Sequence, residues 1–241
     1  MDCLYDKLCK DVRFREGLKA CINCGTCTAI CPAAGFYDYD PRIIADTVQS
    51  RNEEKIKELL STDTIWYCGE CMSCKTRCPR GNVPGLIITA LRGLSQETGL
   101  FAESEKGRQQ LAVKRTVGES ILKYGYCVHP EKLFPELHPE QGPIWKWYQN
   151  QPKEVIDRME GNYKGDGPGI LRKIDETVLQ ELNNIFSVTG ANERFEKIED
   201  FSREKARELG HEFKDGNDCE YFRHVYTYNS SYLSEDETSL T

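Results

Sequence analysis

Apolar residues recur at intervals of three and four along most of this chain, which is the spacing of one face of an α-helix. Asp40 and Pro41 are an N-cap residue and the proline that helices accept at their first position. Ile43, Ile44 and Val48 then continue the helical spacing. The pattern therefore predicts a helix that begins at Pro41.

Six further segments have the same spacing and are predicted helices: 53–60, 84–98, 104–123, 152–159, 170–188 and 192–209. Gly99 and Gly125 follow two of them, at the position where a glycine commonly ends a helix. A membrane-spanning helix needs about 18 consecutive apolar residues, and no stretch of this chain is that long. The sequence therefore predicts an all-α protein without a transmembrane segment.

The segment 126–151 interrupts the helical pattern. It contains four prolines together with Trp145 and Trp147, which indicates an ordered but irregular stretch that packs against something. We therefore divide the chain into a helical domain at 1–125 and an extension at 126–241 that is irregular and then helical.

Composition and charge exclude several classes of function. Among 241 residues, 32 are basic and 39 are acidic, and no basic stripe indicates a nucleic-acid interface. Residues 1–17 are charged throughout, unlike a signal peptide. Twelve cysteines without a secretory signal are typical of a reducing compartment. We therefore expect a cytoplasmic protein that does not bind nucleic acid.

Eight of the twelve cysteines form two copies of one string. In each copy, three cysteines stand three residues apart, a fourth follows four residues later, and a proline comes next. The strings are Cys21, Cys24, Cys27, Cys31 and Pro32, and, 47 residues further on, Cys68, Cys71, Cys74, Cys78 and Pro79. A disulfide framework would need an oxidising compartment, and structural zinc takes four ligands in all. This spacing instead predicts two [4Fe–4S] clusters, which carry single electrons.

The spacing also assigns four thiolates to each cluster. The first three cysteines of a string wrap one cluster, and the fourth ligates the cluster of the other string. The predicted ligands are Cys21, Cys24, Cys27 and Cys78 for the first cluster, and Cys68, Cys71, Cys74 and Cys31 for the second. Gly25 and Gly69 lie inside the two loops, where we expect the positive φ that glycine adopts most easily.

Other residues near the strings have expected roles as well. Three isoleucines are expected to form an apolar shell around the clusters: Ile22, Ile30 and Ile65. Positive charge lies beside the second string, at Lys75, Arg77 and Arg80. This charge favours the reduced form of a cluster, steers a partner protein, or belongs to a solvated surface. Outside the strings, we expect Cys3 and Cys9 to be structural or free, and Cys127 and Cys219 to be packed side chains.

Three runs of residues resemble one known family. The runs CINCGTCTAICP, DPRIIADTVQS and IWYCGECMSCKTRCPRGN are similar to the C subunit of heterodisulfide reductase and of heterodisulfide-reductase-like complexes, over residues 15–100. The resemblance implies an α-helical ferredoxin domain. It also implies an electron relay between a flavin-containing A-type subunit and a B-type subunit with Cys-Cys-Gly motifs. The length beyond residue 125 is more similar to the bacterial or sulfur-oxidising version of the complex.

The sequence has no motif for catalysis of its own. It lacks Cys-Cys-Gly, and the glycines of 165–169 follow no predicted strand, unlike those of a dinucleotide site. We therefore expect a non-catalytic electron-transfer subunit whose extension associates with partner subunits. One alternative is a ferredoxin-like subunit of another oxidoreductase, such as a glycerol-3-phosphate or lactate/glycolate oxidising complex. Another is an iron–sulfur scaffold that serves cluster assembly alone.

Overall fold

The computed structural model of the protein describes residues 3–138 and 141–227. Within these ranges the chain forms α-helices, shorter 3₁₀ turns and a π turn, and no strand. This confirms the all-α prediction. The chain divides into two compact units, Met1–Arg108 and Gln109–Thr241. The boundary between functional domains, which we placed after residue 125, stays a prediction.

The first unit contains both cysteine strings. Its α-helices are α1 (Leu4–Lys10), α2 (Val12–Gly17), α3 (Thr26–Ala29), α4 (Pro41–Gln49), α5 (Glu53–Ser61), α6 (Pro84–Thr98) and α7 (Glu105–Arg108). Its 3₁₀ turns are Pro32–Gly35, Asp63–Tyr67, Lys75–Arg77 and Leu100–Glu103. The first string therefore lies between α2 and α4, with Cys27 inside the short α3, and the second lies between α5 and α6.

The predicted helix boundaries in the first unit agree with the cap geometry. The Asp40 carboxylate accepts the backbone N–H of Arg42 at 2.8 Å, and the Asn52 side chain accepts that of Lys55 at 3.0 Å. These bonds satisfy N–H groups that have no partner within the helix. At the other end of α6, Gly99 adopts φ +79°, the left-handed conformation that ends helices.

Helix α6 lies at the centre of the first unit and packs against α2, α4 and α5. Its buried apolar residues are Ile87, Ile88, Leu91 and Leu94. Ile44 and Val48 on α4, and Ile56 and Leu60 on α5, belong to the same core. Helix α2 approaches α6 closely because Gly17 has no side chain; a Cβ there would lie 3.0 Å from Ile87. This core fixes the helices between which the strings run.

The second unit has helices of more varied length. They are α8 (Gln110–Val113), α9 (Glu119–Tyr124), α10 (Pro143–Asn150), α11 (Pro152–Arg158), α12 (Glu176–Val188), α13 (Ala191–Leu209) and α14 (Glu220–Thr227). A π turn at Lys114–Gly118 connects α8 to α9, and 3₁₀ turns lie at Pro130–Lys132 and Pro135–Leu137.

The helix predicted at 170–188 begins later than expected, at Glu176. The Asp175 carboxylate accepts the N–H of Thr177 at 2.8 Å and so defines the start of α12. Leu171 has φ +59° and is buried, so it belongs to a loop rather than to the helical stripe. The apolar spacing continues into the loop before α12, where Leu171 is buried although it is not helical.

A buried charge network joins α13 to the π turn. Arg115 is 1% exposed and donates to both carboxylate oxygens of Glu199, at 2.8 and 2.6 Å. Lys114 donates to the same carboxylate at 2.8 Å. Burial alone would raise the pKa of Glu199, but the hydrogen bonds from the two cations hold it below its usual value. The second unit thus has an ionic contact inside its core.

Among the described helices, none combines the length and the apolar character that crossing a membrane requires.

Candidate metal centres

The structure brings the eight cysteines of the strings together around two cavities. We call them the first and the second cavity. Cysteines that line the first cavity are Cys21, Cys24, Cys27 and Cys78. Those that line the second are Cys31, Cys68, Cys71 and Cys74. Each cavity therefore combines three cysteines of one string with the fourth of the other. These are the ligand sets predicted from the spacing, and which thiolates bind iron stays a prediction.

The two loops that wrap the cavities have the same backbone shape. The residues directly before and after the middle cysteine are left-handed: Asn23 (φ +59°) and Gly25 (φ +78°) in one loop, Glu70 (φ +52°) and Met72 (φ +58°) in the other. The positive φ expected of Gly69 was wrong. Gly69 stands one position too early, next to the first cysteine of its string, where the loop does not turn.

This backbone shape directs N–H groups at sulfur. The N–H of Asn23 donates to Cys21 Sγ at 3.4 Å, and the N–H of Glu70 donates to Cys68 Sγ at 3.4 Å. Hydrogen bonds to a thiolate stabilise its negative charge and tune the group that it binds. Because both loops make this bond at the same position, it follows from the loop shape and not from the identity of the side chains.

Hydroxyl groups lie beside the middle cysteines. The Thr26 hydroxyl lies 3.4 Å from Cys24 Sγ, and the Ser73 hydroxyl lies 3.4 Å from Cys71 Sγ. These contacts are the largest cause that lowers the pKa of each of the two thiols. Thiolate is the form that binds iron, so the loops favour ligation at both positions.

The third cysteine of each string is in a drier position. Burial is the main reason that the pKa values of Cys27 and Cys74 lie above the ordinary value for a thiol. Each loop therefore has an exposed ligand position in the middle and a more enclosed one at its end. An exposed Cys24 and an exposed Cys71 place the two loops at the surface of the first unit.

A buried tyrosine in the second cavity tests whether its walls fit an iron–sulfur group. Tyr39 is 4% exposed, and its hydroxyl has no hydrogen-bond partner among the described residues. Burial, and then the nearby Cys68, raise the pKa of this hydroxyl, so it stays a donor. An unpaired buried hydroxyl is costly. Cluster sulfur would accept this hydrogen bond, and the cavity therefore fits a sulfur-rich group.

A missing side chain leaves room in the same cavity. A Cβ on Gly85, at the start of α6, would lie 2.8 Å from Met72 Sδ and 3.9 Å from Cys74 Sγ. The backbone of α6 therefore approaches the cysteines as closely as sterics allow. Both observations agree with the chemistry of four thiol side chains around one cavity.

Asn82 fixes the two strings to each other, and sequence reasoning missed it. It is 2% exposed; its side chain accepts the N–H of Lys19 at 2.6 Å and donates to Ala20 O at 3.1 Å. Its own N–H donates to Cys78 Sγ at 3.3 Å. The chain just before Cys21 is therefore held beside the last cysteine of the other string. The signal available in the sequence was the position of Asn82 shortly after the second Cys-Pro pair. No asparagine stands at the equivalent position after the first string.

Two long side chains fix the first cysteine of each string, and the sequence analysis missed these as well. Gln49, at the end of α4, accepts the N–H of Cys21 at 2.7 Å and donates to its carbonyl at 3.1 Å. Arg92 on α6 donates to the carbonyl of Cys68 at 2.6 Å and to the Glu70 carboxylate at 2.6 Å. The helices of the core thereby position the loops.

The expected apolar shell is only partly present. Ile22 lines the first cavity although it is 58% exposed. Ile30, which is 40% exposed, and the fully buried Ile65 line neither cavity. Positive charge is also placed differently than the string suggested: Arg80 follows the second string but lines the first cavity, together with Arg42.

The four remaining cysteines have separate environments. Cys3 accepts the N–H of Asp6 at 3.3 Å and caps α1, Cys9 is half-buried, and Cys219 is buried as predicted. Cys127 is exposed, so its predicted packing was wrong. In the described part of the chain, no three Cys, His, Asp or Glu side chains converge on the position of a single metal ion. A [4Fe–4S] cluster spreads its thiolates over four separate irons, so its ligands need no such common point.

Comparison with known proteins identifies the family. The 4Fe-4S dicluster domain matches residues 17–82, which contain both strings. The second form of the iron–sulfur C subunit of CoB–CoM heterodisulfide reductase in Methanocaldococcus jannaschii is 32% identical over 145 residues, which are 58% of this chain and 71% of that relative. The chain belongs to the C-subunit family of heterodisulfide reductases. This confirms the resemblance and the presence of an iron–sulfur protein fold.

Other members of the C-subunit family match the chain to different extents. The C2 subunit of the H(2)/formate:CoB–CoM heterodisulfide,ferredoxin reductase of Methanococcus maripaludis is 36% identical over 144 residues, or 57% of this chain and 71% of the relative. The C subunit of the ferredoxin:CoB–CoM heterodisulfide reductase of Methanosarcina acetivorans is 36% identical over 138 residues, or 56% of this chain. The match spans 52% of the Methanosarcina acetivorans relative, about half of its length.

Proposed function

We propose that this chain is the electron-transfer subunit of a heterodisulfide-reductase-like complex and holds two [4Fe–4S] clusters. The observation that carries the proposal is the pair of cavities, each lined by four cysteines that come from both strings. Such clusters accept and pass on single electrons when they are bound. The ligands of the first are Cys21, Cys24, Cys27 and Cys78, and those of the second are Cys68, Cys71, Cys74 and Cys31.

The surroundings of the cavities support a relay without a substrate of its own. Four thiolates per cluster leave no iron position open for a substrate, unlike a catalytic metal site that keeps one free. The backbone N–H groups of Asn23 and Glu70 point at sulfur, and the unpaired hydroxyl of Tyr39 lies near Cys68. We infer that these groups stabilise and tune the clusters and take no part in bond chemistry.

The proposed partners are a flavin-containing A-type subunit and a disulfide-handling B-type subunit with Cys-Cys-Gly motifs. The names of the relatives, which assign them to multi-subunit reductases, support the presence of partners. The exposed Cys24 and Cys71 support an approach of partners to the loops, because an electron can leave where the ligands reach the surface. We place this complex in the cytoplasm and in sulfur oxidation.

The proposed role of 126–241 is to hold the partner subunits. Helix α12 has no buried residue, and its Val178, Ile185 and Val188 are 51%, 57% and 88% exposed. These three positions fall on one side of a helix with 3.6 residues per turn. Exposed apolar residues on one side of a helix are typical of a protein interface.

One purification tests the relay and its partners together. A tagged full chain, isolated without oxygen from its native host, should contain about eight irons, four for each cluster. It should carry a flavoprotein and a Cys-Cys-Gly protein with it, and both clusters should be reduced and reoxidised reversibly. Clusters that never accept an electron would instead support a scaffold for cluster assembly.

The role of α12 has its own test in the full chain. Val178→Asp with Ile185→Asp should leave the iron content unchanged and abolish co-purification of the partners, because the charges prevent burial of the apolar side. Gln180→Asp, which places the same charge on the opposite side of α12, is the matched control and should keep the partners. A double variant that still retains the partners would remove α12 from the interface.

A further inference from the structure

A cavity without cysteines lies within the second unit. It is formed by the end of α9 with the residues after it, by the loop 161–175 and by the start of α12, and its volume is about 280 Å³. Sites for small molecules commonly have about 300–1,000 Å³. The cavity is therefore close to the lower end of this range, and because it opens to solvent a small organic ligand can extend from its mouth. No part of the electron relay uses it.

The loop 161–175 is a firmly built wall of this cavity. Its two arms are joined by backbone hydrogen bonds: Asn162 N–H to Ile170 O at 2.9 Å, Lys164 N–H to Leu171 O at 2.8 Å, and Lys173 N–H to Gly165 O at 3.1 Å. A Cβ on Gly165 or Gly169 would lie 2.0 or 2.6 Å from the Asn162 side chain. The glycines of 165–169 therefore allow this loop to close. The closed loop fixes the backbone positions of its basic residues.

Positive charge dominates the lining of the cavity. Its basic residues are Lys123, Lys164, Arg172 and Lys173. Lys164 pairs with Glu131, whereas Lys123, Arg172 and Lys173 form no ion pair within the described residues. Glu176 is the one carboxylate among the described lining residues. Such an excess of cations in a concave site attracts anions.

Apolar and aromatic groups form the rest of the lining. Tyr124 stacks on the buried His129, with ring centroids 3.8 Å apart and planes within 3°. Tyr126 is held in place by a hydrogen bond from its hydroxyl to Arg172 O at 3.3 Å. Leu171 is 4% exposed and lines the cavity with Ile174. An inorganic anion would gain no favourable contact from this apolar surface.

We propose that this cavity binds a nucleoside phosphate. The cations from the loop and from α9 hold the phosphate oxygens, since arginine and lysine form charge-assisted hydrogen bonds to them. The base lies against Tyr126 and the neighbouring apolar side chains, because a planar ring gains most from such a surface. Glu176 repels the phosphates and limits the affinity.

Calorimetric titration of the full, cluster-containing chain under anaerobic conditions tests the proposal. The probes are ADP, pyrophosphate and adenosine. ADP should bind at least about tenfold more tightly than either part alone, since each part lacks one class of contact. Arg172→Gln with Lys173→Gln should weaken ADP binding at least about tenfold, the effect of losing a charge-assisted hydrogen bond.

Two further variants make the test independent of folding. Glu176→Gln should tighten ADP binding several-fold, and a gain in affinity cannot come from a misfolded chain. Lys153→Gln, an exposed lysine on α11 paired with Asp157, is the matched control and should leave affinity unchanged. The proposal is overturned if ADP does not saturate the chain, if pyrophosphate or adenosine binds as tightly as ADP, or if Lys153→Gln weakens binding as much as the double variant.

Discussion

The first and second cavities have cysteines at identical spacing but walls of different character. Arg42, Arg80 and the buried Asn82 line the first cavity. Tyr39, Met72 and other apolar groups line the second. The comparison teaches that a repeated string specifies ligands, whereas the chain segments between and after the strings specify the environment. Two clusters with the same ligands should therefore differ in reduction potential.

The difference arises because each cavity combines three cysteines of one string with the fourth of the other. Arg80 follows the second string in sequence, yet it lies at the first cavity, together with Cys78. Tyr39 lies between the strings and reaches the second cavity, together with Cys31. A residue that follows a fourth cysteine thus lies at the cavity that the other string wraps. Four variants test this difference between the two cavities.

Removing a fourth cysteine should eliminate one whole cluster. Cys31→Ser should lose about four of eight irons, and its electron paramagnetic resonance spectrum should match that of Cys71→Ser. Cys78→Ser should match Cys24→Ser instead, because its ligand set is that of the first cavity. Cys127→Ser, at an exposed cysteine outside the strings, is the control and should keep all irons. A Cys31→Ser spectrum that matches Cys24→Ser would show that the ligand sets do not cross.

A methyl group should destabilise one loop and not the other. Gly25→Ala should cost about 1–2 kcal/mol, because φ +78° is unfavourable for any residue with a Cβ. A Cβ at either Gly25 or Gly69 meets nothing within 4 Å, so crowding plays no part. Gly69→Ala is therefore the matched control. The denaturant concentration that releases half of the iron should fall for Gly25→Ala alone. An equal fall in both variants would contradict the different backbone conformations of these two glycines.

The buried hydroxyl should tune the second cluster alone. Tyr39→Phe should lower the midpoint potential of the second cluster by about 20–60 mV, since a hydrogen bond of typical net strength would no longer stabilise the more negative, reduced form. Potentiometric titration followed by electron paramagnetic resonance measures both clusters at once. Tyr5→Phe, on α1 away from both cavities, is the control. Equal shifts in both clusters, or none, would show that this hydroxyl does not reach cluster sulfur.

The smallest expected effect belongs to a surface charge. Arg80→Gln should lower the potential of the first cluster by roughly 20 mV, because a solvent-exposed positive charge favours the reduced form only weakly. The second cluster should shift less, although Arg80 adjoins its string in sequence. Arg77→Gln removes an exposed charge that lines neither cavity and serves as control. A larger shift of the second cluster would reverse the assignment of Arg80.

The three longest helices of the first unit, α4, α5 and α6, were predictable because their signals are local. The start of α4 depends on Asp40 and Pro41, and the end of α6 on Gly99, and each acts within one helical turn. The predicted start of a helix at residue 170 was wrong because the conformation there depends on contacts beyond one helical turn. There, Ile170 and Leu171 continued the apolar spacing, but backbone bonds within the loop 161–175 determined their conformation.

The cysteines around each cavity were predictable, but their surroundings were not. The two groups of cysteines followed from the spacing within the strings, which is a property of the strings alone. The roles of Asn82, Gln49 and Arg92 did not follow, because each side chain bonds a backbone group 24 to 63 residues away along the chain, at Lys19, Cys21 and Cys68 respectively. The exposure of Ile22 was also unpredictable, because a loop residue beside a ligand has no periodic partner that defines an inner side.

The sequence by itself determined the all-α class of this protein, its iron–sulfur chemistry and its family, because spacing, caps and cysteine strings are read over short stretches of chain. Only the tertiary structure decided which residues other than the cysteines line each cavity. Tyr39 meets Cys68 and Arg80 meets the first cavity because core packing around α6 brings distant segments together. Within the second unit, α9, the loop 161–175 and α12 likewise bring basic residues together around one cavity. Such encounters depend on contacts between segments far apart in sequence, and no local pattern encodes them.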